Sequence, residues 1–349
     1  MTATEEVARE QAAPAYLRHD KSLWRRVLVR TDTALVLVLV AVIIWATFTV
    51  PYFAQAFTYS TLLLNIAPIL LMVLPVTLII VTGEIDLSVG SVLGVSSAIL
   101  GLLFQHGVPL AAAAAISVLA GVLIGALNGF MVAVVGLPSL AVTIGTLALF
   151  RGVAVGMLGT TAVTGFPSET ALWLRANIGG TTIPRVMVGI VVLAVLFGVL
   201  LHATTFGRGI VAIGLSSETA LFSGVAVNRT KLLLFIASGT VAAATGVLYT
   251  LIYSNAIGSN GIGLELQVVT AIVLGGVSIW GGRGTLIGAI VGALLIGTLS
   301  KALQLLNVGS DVISVITGGA LILSVVVASI GGFVSRRRRG PASVAKNGG

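Results

Sequence analysis

Acidic side chains next to long apolar runs are the residues of this sequence most able to do chemistry. Glu84 and Asp86 lie in TGEIDLSVGS at 82–91, between two such runs, and Glu265 precedes a third. A carboxylate is costly to bury in an apolar environment, so it usually serves a function there, such as binding a polar solute or carrying a proton or cation. These three acids are the first candidates for a functional site.

The elements around these acids are predicted to be helices that cross a bilayer. Charged residues make up 9% of the 349, hydrophobic residues 57%, and the mean hydropathy is +1.13, all far from the values of a soluble domain. A spanning helix needs about 20 apolar residues, and the sequence predicts an all-α polytopic membrane protein with about ten of them. The candidates are 33–50, 62–81, 89–104, 110–135, 139–157, 186–201, 232–253, 268–279, 286–303 and 312–331.

The positions of Lys and Arg predict the orientation, because short loops rich in these residues stay in the cytoplasm. With the amino terminus inside, ten spans place 15 of the 19 basic residues on the inner side. The exceptions are Arg151, Arg175, Arg185 and Lys301. Both termini are then cytoplasmic. The predicted domains are a tail at 1–32, a transmembrane domain at 33–333 and a basic tail at 334–349.

Several functional classes are excluded by what the sequence lacks. The net charge of +8 does not predict nucleic-acid binding, because the basic residues flank apolar spans instead of clustering on an exposed domain. The chain has no cysteine and three widely separated histidines, so we expect no catalytic residue and no metal site. It has no GxxxxGK[ST] motif and therefore no ATPase site of its own.

Two polar segments are long enough to have their own functions. The outer one, 158–185, is turn-rich. It either caps the pathway or contacts an extracytoplasmic partner, or it is a plain connector with Trp173 and Arg175 at the headgroup level. The inner one, 204–231, is the longest predicted cytoplasmic loop.

The inner segment carries the signals of a short helix. Ser216 or Ser217 can cap it, Glu218 favours its first turn and Gly224 can end it. Its apolar surface, formed by Ala220, Leu221 and Phe222, either docks into a groove of another protein or belongs to an ordinary amphipathic surface helix.

Internal similarity predicts two loosely related halves. LIGA occurs at 123–126 and at 286–289, and an acid followed by a short, Gly-broken apolar segment precedes each copy. Glycines recur at every fourth position around each copy, which allows close helix packing. They are Gly121, Gly125 and Gly129, and Gly284, Gly288 and Gly292. Paired interrupted segments indicate a transport pathway at the interface of the halves.

Four ordered motifs resemble a known family. They are TGEIDLSVGSVLG at 82–94, LPSLAVTIGTLALFRG at 137–152, TTFGRGIVAIG followed by ETALFSGVAVNRTKLL, and AIVLGGVSIWGGRGTLIGAIVGALLIG at 271–297. Over about residues 60–330 the chain resembles the permease subunits of bacterial ABC importers for monosaccharides, the ribose type, in the group that includes branched-chain amino-acid permeases. It departs from many relatives at Glu84, where they have glycine, and at Leu215-Ser216-Ser217.

The resemblance implies partners and a site of coupling. Such permeases work in the bacterial inner membrane as pairs, docked on two cytoplasmic ATPase subunits that hold ATP and Mg, and they receive solute from an extracytoplasmic binding protein. The segment near 217–224 would then be the coupling helix, oriented by Glu218 and Arg208, with Leu221 and Phe222 in the ATPase groove. The residues assigned to coupling are Arg208, Ser217, Glu218, Ala220, Leu221, Phe222 and Gly224.

A polyhydroxylated solute needs hydrogen-bonding groups in an otherwise apolar tunnel. The candidates for this pathway are Glu84, Asp86, Ser88, Asn128, Thr143, Thr146 and Glu265. The alternatives are that Asp86 and Ser88 cap the helix that starts near Val89, and that Asn128 and the threonines bond between helices. Arg151 either pairs with an acid or extends towards the outer surface.

Two other classes remain open from the sequence. An ion-coupled secondary transporter would use Asp86 and Glu265 as proton or cation carriers, and a purely structural membrane protein would transport nothing. Within the importer class, the cargo is a monosaccharide or a sugar-like solute such as autoinducer-2 or rhamnose. The sequence does not decide between these cargoes, or between an identical and a paralogous second permease.

Overall fold

The computed structural model describes residues 31–338, with side chains described for 33–323 and 326. Within this range the chain is helical, and its β-pairing consists of two isolated bridges, Val163 with Ala256 and Asn177 with Pro184. The helices are α1 (Thr31–Thr49), α2 (Ala56–Val81), α3 (Val89–Gln105), α4 (Leu110–Ala133), α5 (Ser139–Leu158), α6 (Ser168–Arg175), α7 (Val186–Ala203), α8 (Thr205–Leu215), α9 (Ser217–Phe222), α10 (Val227–Tyr253), α11 (Leu264–Leu274), α12 (Leu286–Leu305) and α13 (Ser310–Arg338).

Every apolar segment predicted from the sequence contains a helix. Six helices, α2, α4, α5, α7, α10 and α12, are long and apolar enough to cross a membrane, whereas α1, α3, α8, α11 and α13 have shorter apolar stretches. The predicted span 268–279 extends past the end of the helix. α11 ends at Leu274, and Gly276, two residues later, adopts a φ of +81°. At 11 residues, α11 is about 16 Å long, which is less than a bilayer core of about 30 Å.

The segment between α10 and α12 nevertheless runs from one end of the helical bundle to the other. At one end, the backbone of Ala256 pairs with Val163, just after α5. At the other, the N–H of Gly282 donates to the carbonyl of Val81, at the end of α2. The loop before α11, α11 itself and the loop after it together span the length of the bundle, which α11 alone is too short to do.

Helix α2 forms the centre of the bundle. In its most apolar window 89% of the residues are buried, against 22% in α5 and α7. The outer helices therefore expose apolar side chains at the surface of the bundle, while α2 is enclosed by α7, α10, α11 and α12. Consequently, the acidic segment that follows α2 starts from the most enclosed part of the molecule.

Both glycine stripes pack helices closely, as predicted. A Cβ added to Gly125 of α4 would lie 2.4 Å from the carbonyl oxygen of Phe235 in α10. One added to Gly292 of α12 would lie 2.1 Å from the carbonyl oxygen of Ala271 in α11. Only glycine permits these approaches, which bring the polar side chains on neighbouring helices within hydrogen-bonding reach.

The two polar segments are more ordered than their composition predicts. The outer segment contains α6 and packs back on the bundle, where Ser60 donates to the carbonyl of Thr182 at 2.9 Å and the Arg185 guanidinium lies over the ring of Trp173. The inner segment has two helices, α8 and α9, where one was predicted.

Helix α13 continues to Arg338, beyond the predicted boundary at 333. The predicted tail 1–32 lies almost wholly outside the described residues.

Candidate functional site

The acidic segment is held in place by contacts between glycines. After α2 ends, Gly83 turns the chain with a φ of +85°. A Cβ on Gly214, near the end of α8, would lie 1.9 Å from the carbonyl oxygen of Val81 and 2.3 Å from the nitrogen of Gly282. The end of α2, the end of α8 and the loop before α12 therefore meet at backbone distance, and none of them can shift without the others.

Asp86 is the centre of a buried hydrogen-bond network. Its Oδ1 accepts from the backbone N–H of Ser88 at 3.0 Å and from the Ser88 hydroxyl at 2.6 Å. Its Oδ2 accepts from the Ser238 hydroxyl of α10 at 2.7 Å, and Asn128 Nδ2 of α4 donates to Ser88 Oγ at 2.9 Å. All four side chains are buried. Because hydrogen bonds to a charged group are the strongest in a protein interior, this network fixes α3 against α4 and α10.

The predicted capping role of Asp86 and Ser88 is wrong in its simple form. Ser88 is the N-cap residue of α3, but no side-chain bond caps the helix, since Ser88 Oγ donates to Asp86. The carboxylate of Asp86 binds the Ser88 N–H, which precedes the helix. The second alternative, bonds between helices, is confirmed for Asn128. One buried polar atom of the network, Asn128 Oδ1, lacks a partner in the described part of the chain.

Thr143 and Thr146 lie beside this network on α5. Thr143 Oγ1 donates to the carbonyl of Ile85 at 3.2 Å, and Ser139 Oγ accepts from the N–H of Ile85 at 3.1 Å. Thr146 makes only a long bond of 3.4 Å to the carbonyl of Thr143. Thus α5 fixes the backbone next to Asp86, and five of the predicted pathway residues share one region of the bundle.

Glu84 has a different environment from Asp86. Its carboxylate pairs with the ammonium of Lys231 at 2.5 Å, and the two side chains are 17% and 15% exposed. Both line a cavity of about 750 Å³ that also borders Ser217, Glu218 and Leu221 of α9. An ion pair so shielded from water is stronger than an ordinary surface pair, and it ties the segment after α2 to the start of α10.

Glu265 belongs to a third polar region, next to Gly90 of α3. A Cβ on Gly90 would lie 2.0 Å from Glu265 Oε2, and one on Gly94 would lie 2.8 Å from Arg151 Nη1. Gly90 and Gly94 are one turn apart on the same face of α3. The two glycines of the first motif therefore make room for an acid and a base from two other helices.

Arg151 donates hydrogen bonds to backbone carbonyls. Its Nη1 donates to the carbonyls of Asn260 at 2.7 Å and Gly258 at 3.3 Å, so it clamps the loop before α11 and does not extend to the surface. Glu265 Oε1 accepts from the N–H of Gly263 at 3.1 Å. Within the described residues, Arg151 Nη2 and Glu265 Oε2 are buried without a partner. An unpaired donor and an unpaired acceptor thus lie beside the same face of α3.

The predicted short helix is confirmed as α9. Ser216 Oγ accepts from the N–H of Thr219 at 3.2 Å, so Ser216 is the cap. At the other end, the N–H groups of Gly224 and Val225 donate to the carbonyls of Leu221 and Ala220, and Gly224 has a φ of +83°. This is a Schellman motif, in which glycine adopts the left-handed conformation at lowest cost.

The two faces of α9 differ sharply. Ala220 is buried against Ile213 and Val227, whereas Leu221 is 61% and Phe222 is 84% exposed. Large apolar side chains so exposed on a fixed helix indicate an interaction surface. Trp280, in the loop that contacts the end of α8, is 86% exposed at the same end of the bundle.

The orienting role predicted for Glu218 and Arg208 stays a prediction. Neither side chain forms a hydrogen bond or ion pair in the described chain. Arg208 instead lines a separate cavity of about 620 Å³ between α8 and α10, with Arg229. The caps and the burial of Ala220 fix the orientation of α9.

Sequence reasoning missed two partners of the predicted residues, Ser238 and Lys231, and one exposed aromatic side chain, Trp280. Ser238 lies in an apolar helix with no local signal, Lys231 was used only for orientation, and Trp280 stands in a glycine-rich loop. For Lys231 a signal existed, since Glu84 was an acid without an identified base. Among the described residues, no group of His, Asp or Glu is placed to hold a metal ion.

Comparisons with known proteins agree with this architecture. Residues 58–329 match the family described as branched-chain amino acid transport system, permease component. The chain is 35% identical over 280 residues, 76% of its length and 84% of the relative's, to the autoinducer 2 import system permease protein LsrD of Yersinia pseudotuberculosis serotype IB (strain PB1/+). It is 35% identical over 259 residues, covering 72% and 77%, to the protein of the same name from Yersinia pestis (strain Pestoides F). No solved structure matches the chain.

The family match spans the acidic segment, α9 and the glycine stripes, which are the features that distinguish this helical bundle. Proteins of this kind lack an ATPase site of their own and work with an ATPase subunit and a solute-binding protein. The chain therefore belongs to the family of branched-chain amino acid and ribose-type ABC permeases, and it is a multi-pass membrane permease subunit of a sugar-type importer.

Proposed function

We propose that the chain is one of two permease subunits of a bacterial inner-membrane importer for a monosaccharide or sugar-like solute. An extracytoplasmic binding protein would deliver the solute, and two ATPase subunits in the cytoplasm would bind ATP and Mg. The observation that carries the proposal is α9, which is capped at both ends and exposes Leu221 and Phe222. A helix that presents an apolar edge from a rigid base suits docking into a groove.

Coupling would act through the contacts between glycines behind α9. The end of α8, directly before α9, touches Val81 and Gly282 at backbone distance. ATP binding would close the ATPase dimer and pull α9, and that pull would reach the end of α2 through Gly214. The Glu84–Lys231 pair joins the same region to α10. The solute itself undergoes no chemical change.

The proposed topology has ten passes with both termini in the cytoplasm. It places α9, Lys231 and the cavity next to Glu84 on the inner side, where short basic loops are retained. It also places 158–185 outside, for contact with the binding protein, and keeps 1–32 and 334–349 as cytoplasmic tails. The segment 204–231 is the proposed coupling loop, in which Arg208, Ser217, Glu218, Ala220, Leu221, Phe222 and Gly224 take part.

The cargo is proposed to be a small polyhydroxylated compound, and autoinducer-2 is the first candidate. The support is that the similar permeases are named for autoinducer-2 import and are matched over most of their length. The proposed pathway residues are Glu84, Asp86, Ser88, Asn128, Thr143, Thr146 and Glu265. The spare acceptor of Asn128 and that of Glu265 would accept hydrogen bonds from solute hydroxyls.

The test is uptake by vesicles that contain the whole importer. We expect autoinducer-2 or ribose to enter only when ATP is available to the ATPase, and uptake to continue when a protonophore removes the proton gradient. The double variant Glu218→Ala with Phe222→Ala should fold and lose uptake. Uptake that does not depend on ATP and stops when the protonophore is added would instead establish an ion-coupled transporter and overturn the proposal.

A further inference from the structure

A second polar cavity lies at the other end of α2 from Glu84. It has a volume of about 190 Å³, lies between α2, α11, α12 and α13, and is partly open to the surface. α2 contributes Asn65, which is 16 residues from Val81, or roughly 24 Å along the helix. In the proposed topology this end is extracytoplasmic. None of the pathway residues predicted from the sequence lines this cavity.

One face of α12 supplies three of the seven polar residues that line this cavity. Gly297, Ser300, Lys301 and Gln304 line the cavity, and their spacing of three and four residues puts them on one stripe of the helix. Gly297 packs so closely on Ile66 that a Cβ there would lie 2.4 Å from the Ile66 Cδ1. The glycine brings α12 against α2, and the three polar side chains of the stripe border the space that opens beyond this contact.

The hydrogen-bonding groups of this cavity are unused. In the described part of the chain, the side chains of Gln267, Ser300, Lys301 and Gln304 have no hydrogen-bond or ion-pair partner. Asn65 Oδ1 accepts from the Tyr253 hydroxyl at 3.0 Å, which leaves its amide NH₂ group available. Polar groups left unpaired near a bilayer are costly unless a ligand or water binds them.

Helix α11 keeps this cavity apart from the polar region around Glu265. Gln267 follows Glu265 by two positions, which places it about 200° further round the helix. Glu265 therefore reaches Gly90 of α3, while Gln267 lines the cavity between α2, α12 and α13. The first turn of α11 has a polar group on each side.

The chemistry of the lining selects a class of ligand. Three amides offer both donors and acceptors, the hydroxyl of Ser300 offers both, and Lys301 offers donors only. A neutral polyol uses such a mixture, since each of its hydroxyls donates and accepts. A phosphate would use the donors and leave the amide oxygens unpaired. The volume corresponds to roughly six waters at about 30 Å³ each, the scale of one small sugar.

We infer that this cavity is a binding subsite for a neutral, polyhydroxylated solute at the extracytoplasmic side of the permease, formed by Asn65, Gln267, Ser300, Lys301 and Gln304. The inference rests on the proposed function. It names where solute is first held after release from the binding protein, at the far end of α2 from the coupling region. The two sites at opposite ends of α2 would then be alternately open.

The absence of cysteine from the chain permits a direct test. In the complete importer, Ser300→Cys places one thiol in the cavity, and Thr181→Cys places one at an exposed site outside it. We expect a membrane-impermeant maleimide to label both from outside. Millimolar ribose or autoinducer-2 should slow labelling of Cys at position 300 at least severalfold and leave that at 181 unchanged. Protection by inorganic phosphate alone, or equal rates with and without sugar, would overturn the inference.

A second variant separates this inference from the proposed function. Gln304→Leu should lower ATP-dependent uptake about tenfold, the effect of one lost hydrogen bond. The control is Gln105→Leu, an exposed amide at the end of α3, which should transport normally. Normal transport by Gln304→Leu would refute the subsite alone. Absence of sugar uptake by the unmodified importer would refute the proposed function and, with it, the subsite.

Discussion

Ser238 Oγ donates a hydrogen bond of 2.7 Å to Asp86 Oδ2, which joins α10 to a residue 152 positions earlier in the chain. The same carboxylate binds the Ser88 hydroxyl, and Ser88 in turn accepts from Asn128 of α4. One buried acid therefore organises three helices. Three hydrogen-bond donors bind its carboxylate, which makes Asp86 first a structural centre of the bundle.

Removal of the Ser238 hydroxyl tests this role. Ser238→Ala should lower the free energy of unfolding by about 1–3 kcal/mol, because one oxygen of a buried carboxylate loses its donor. Thermal unfolding of the purified protein in detergent measures the change. Thr240→Val is the matched control on the same helix, since Thr240 Oγ1 donates only to the carbonyl of Ile236 within α10. An equal loss in both variants would contradict the central role of Asp86.

Gly90 tests the packing of α3 against Glu265. Gly90→Ala should strongly destabilise the protein or abolish transport, because the new Cβ would lie 2.0 Å from Glu265 Oε2 and 2.9 Å from the carbonyl oxygen of Gly261. The control is Gly145→Ala on α5, where nothing lies within 4 Å of an added Cβ. We expect the control to keep full uptake and to gain up to about 1 kcal/mol of stability from better helix propensity.

Two further comparisons test whether Glu265 is the group that Gly90→Ala displaces. If Gly90→Ala transports and unfolds like Gly145→Ala, then Glu265 does not lie against α3 at this position. The double variant Gly90→Ala with Glu265→Gln should not restore transport, because the amide of Gln is as large as the carboxylate of Glu. Glu265→Ala, which removes the group in contact, should partly relieve the clash.

The ion pair between Glu84 and Lys231 predicts a third result. Lys231→Met should lower the free energy of unfolding by about 1–3 kcal/mol, between the values for exposed and fully buried pairs, because it leaves a shielded carboxylate without its cation. Adding Glu84→Gln should recover most of the loss. Arg229→Met, two positions away and exposed, should change the unfolding temperature little. A double variant no better than Lys231→Met would argue against a direct pair.

Residue patterns predicted the helices better than they predicted their contacts. Long apolar runs identified the six described helices that are long and apolar enough to cross a membrane, because their signal is local and about 20 residues long. The partners of Asp86 and Glu84 depend on how α10 packs, which no local pattern records, so Ser238 and Lys231 were not found as partners. α8 was missed because its glycines lower helix propensity, although they are what lets it approach Val81.

The cap of α9 shows the opposite case. The sequence narrowed the cap to Ser216 or Ser217 and placed the end at Gly224, because capping depends on residues only a few positions apart. Glu218 and Arg208 were assigned orienting contacts by resemblance, and the structure has none for them in the described chain. Local capping chemistry could therefore be found from sequence, whereas the orienting role of Glu218 and Arg208 stays a prediction.

The apolar edge of α9 predicts a loss of coupling on truncation. Phe222→Ala should weaken binding of the ATPase subunit about thirtyfold, the effect of removing a central aromatic anchor worth about 2 kcal/mol, without a change in unfolding temperature. Phe57→Ala is the control, because Phe57 is 74% exposed at the other end of the bundle. Binding measured on the detergent-solubilised subunits distinguishes the two. Equal affinity in both variants would exclude Phe222 from the interface.

The most direct test of the whole account is to identify what Phe222 touches in the native membrane. A photoreactive amino acid is placed at position 222, and another at 57; the membranes are irradiated, and the cross-linked partners are identified by mass spectrometry after gentle detergent extraction. The account predicts that position 222, but not 57, cross-links to a subunit with a GxxxxGK[ST] sequence that co-purifies stoichiometrically. If position 222 repeatedly captures lipid alone and no ATPase accompanies the chain, the coupling assignment is wrong.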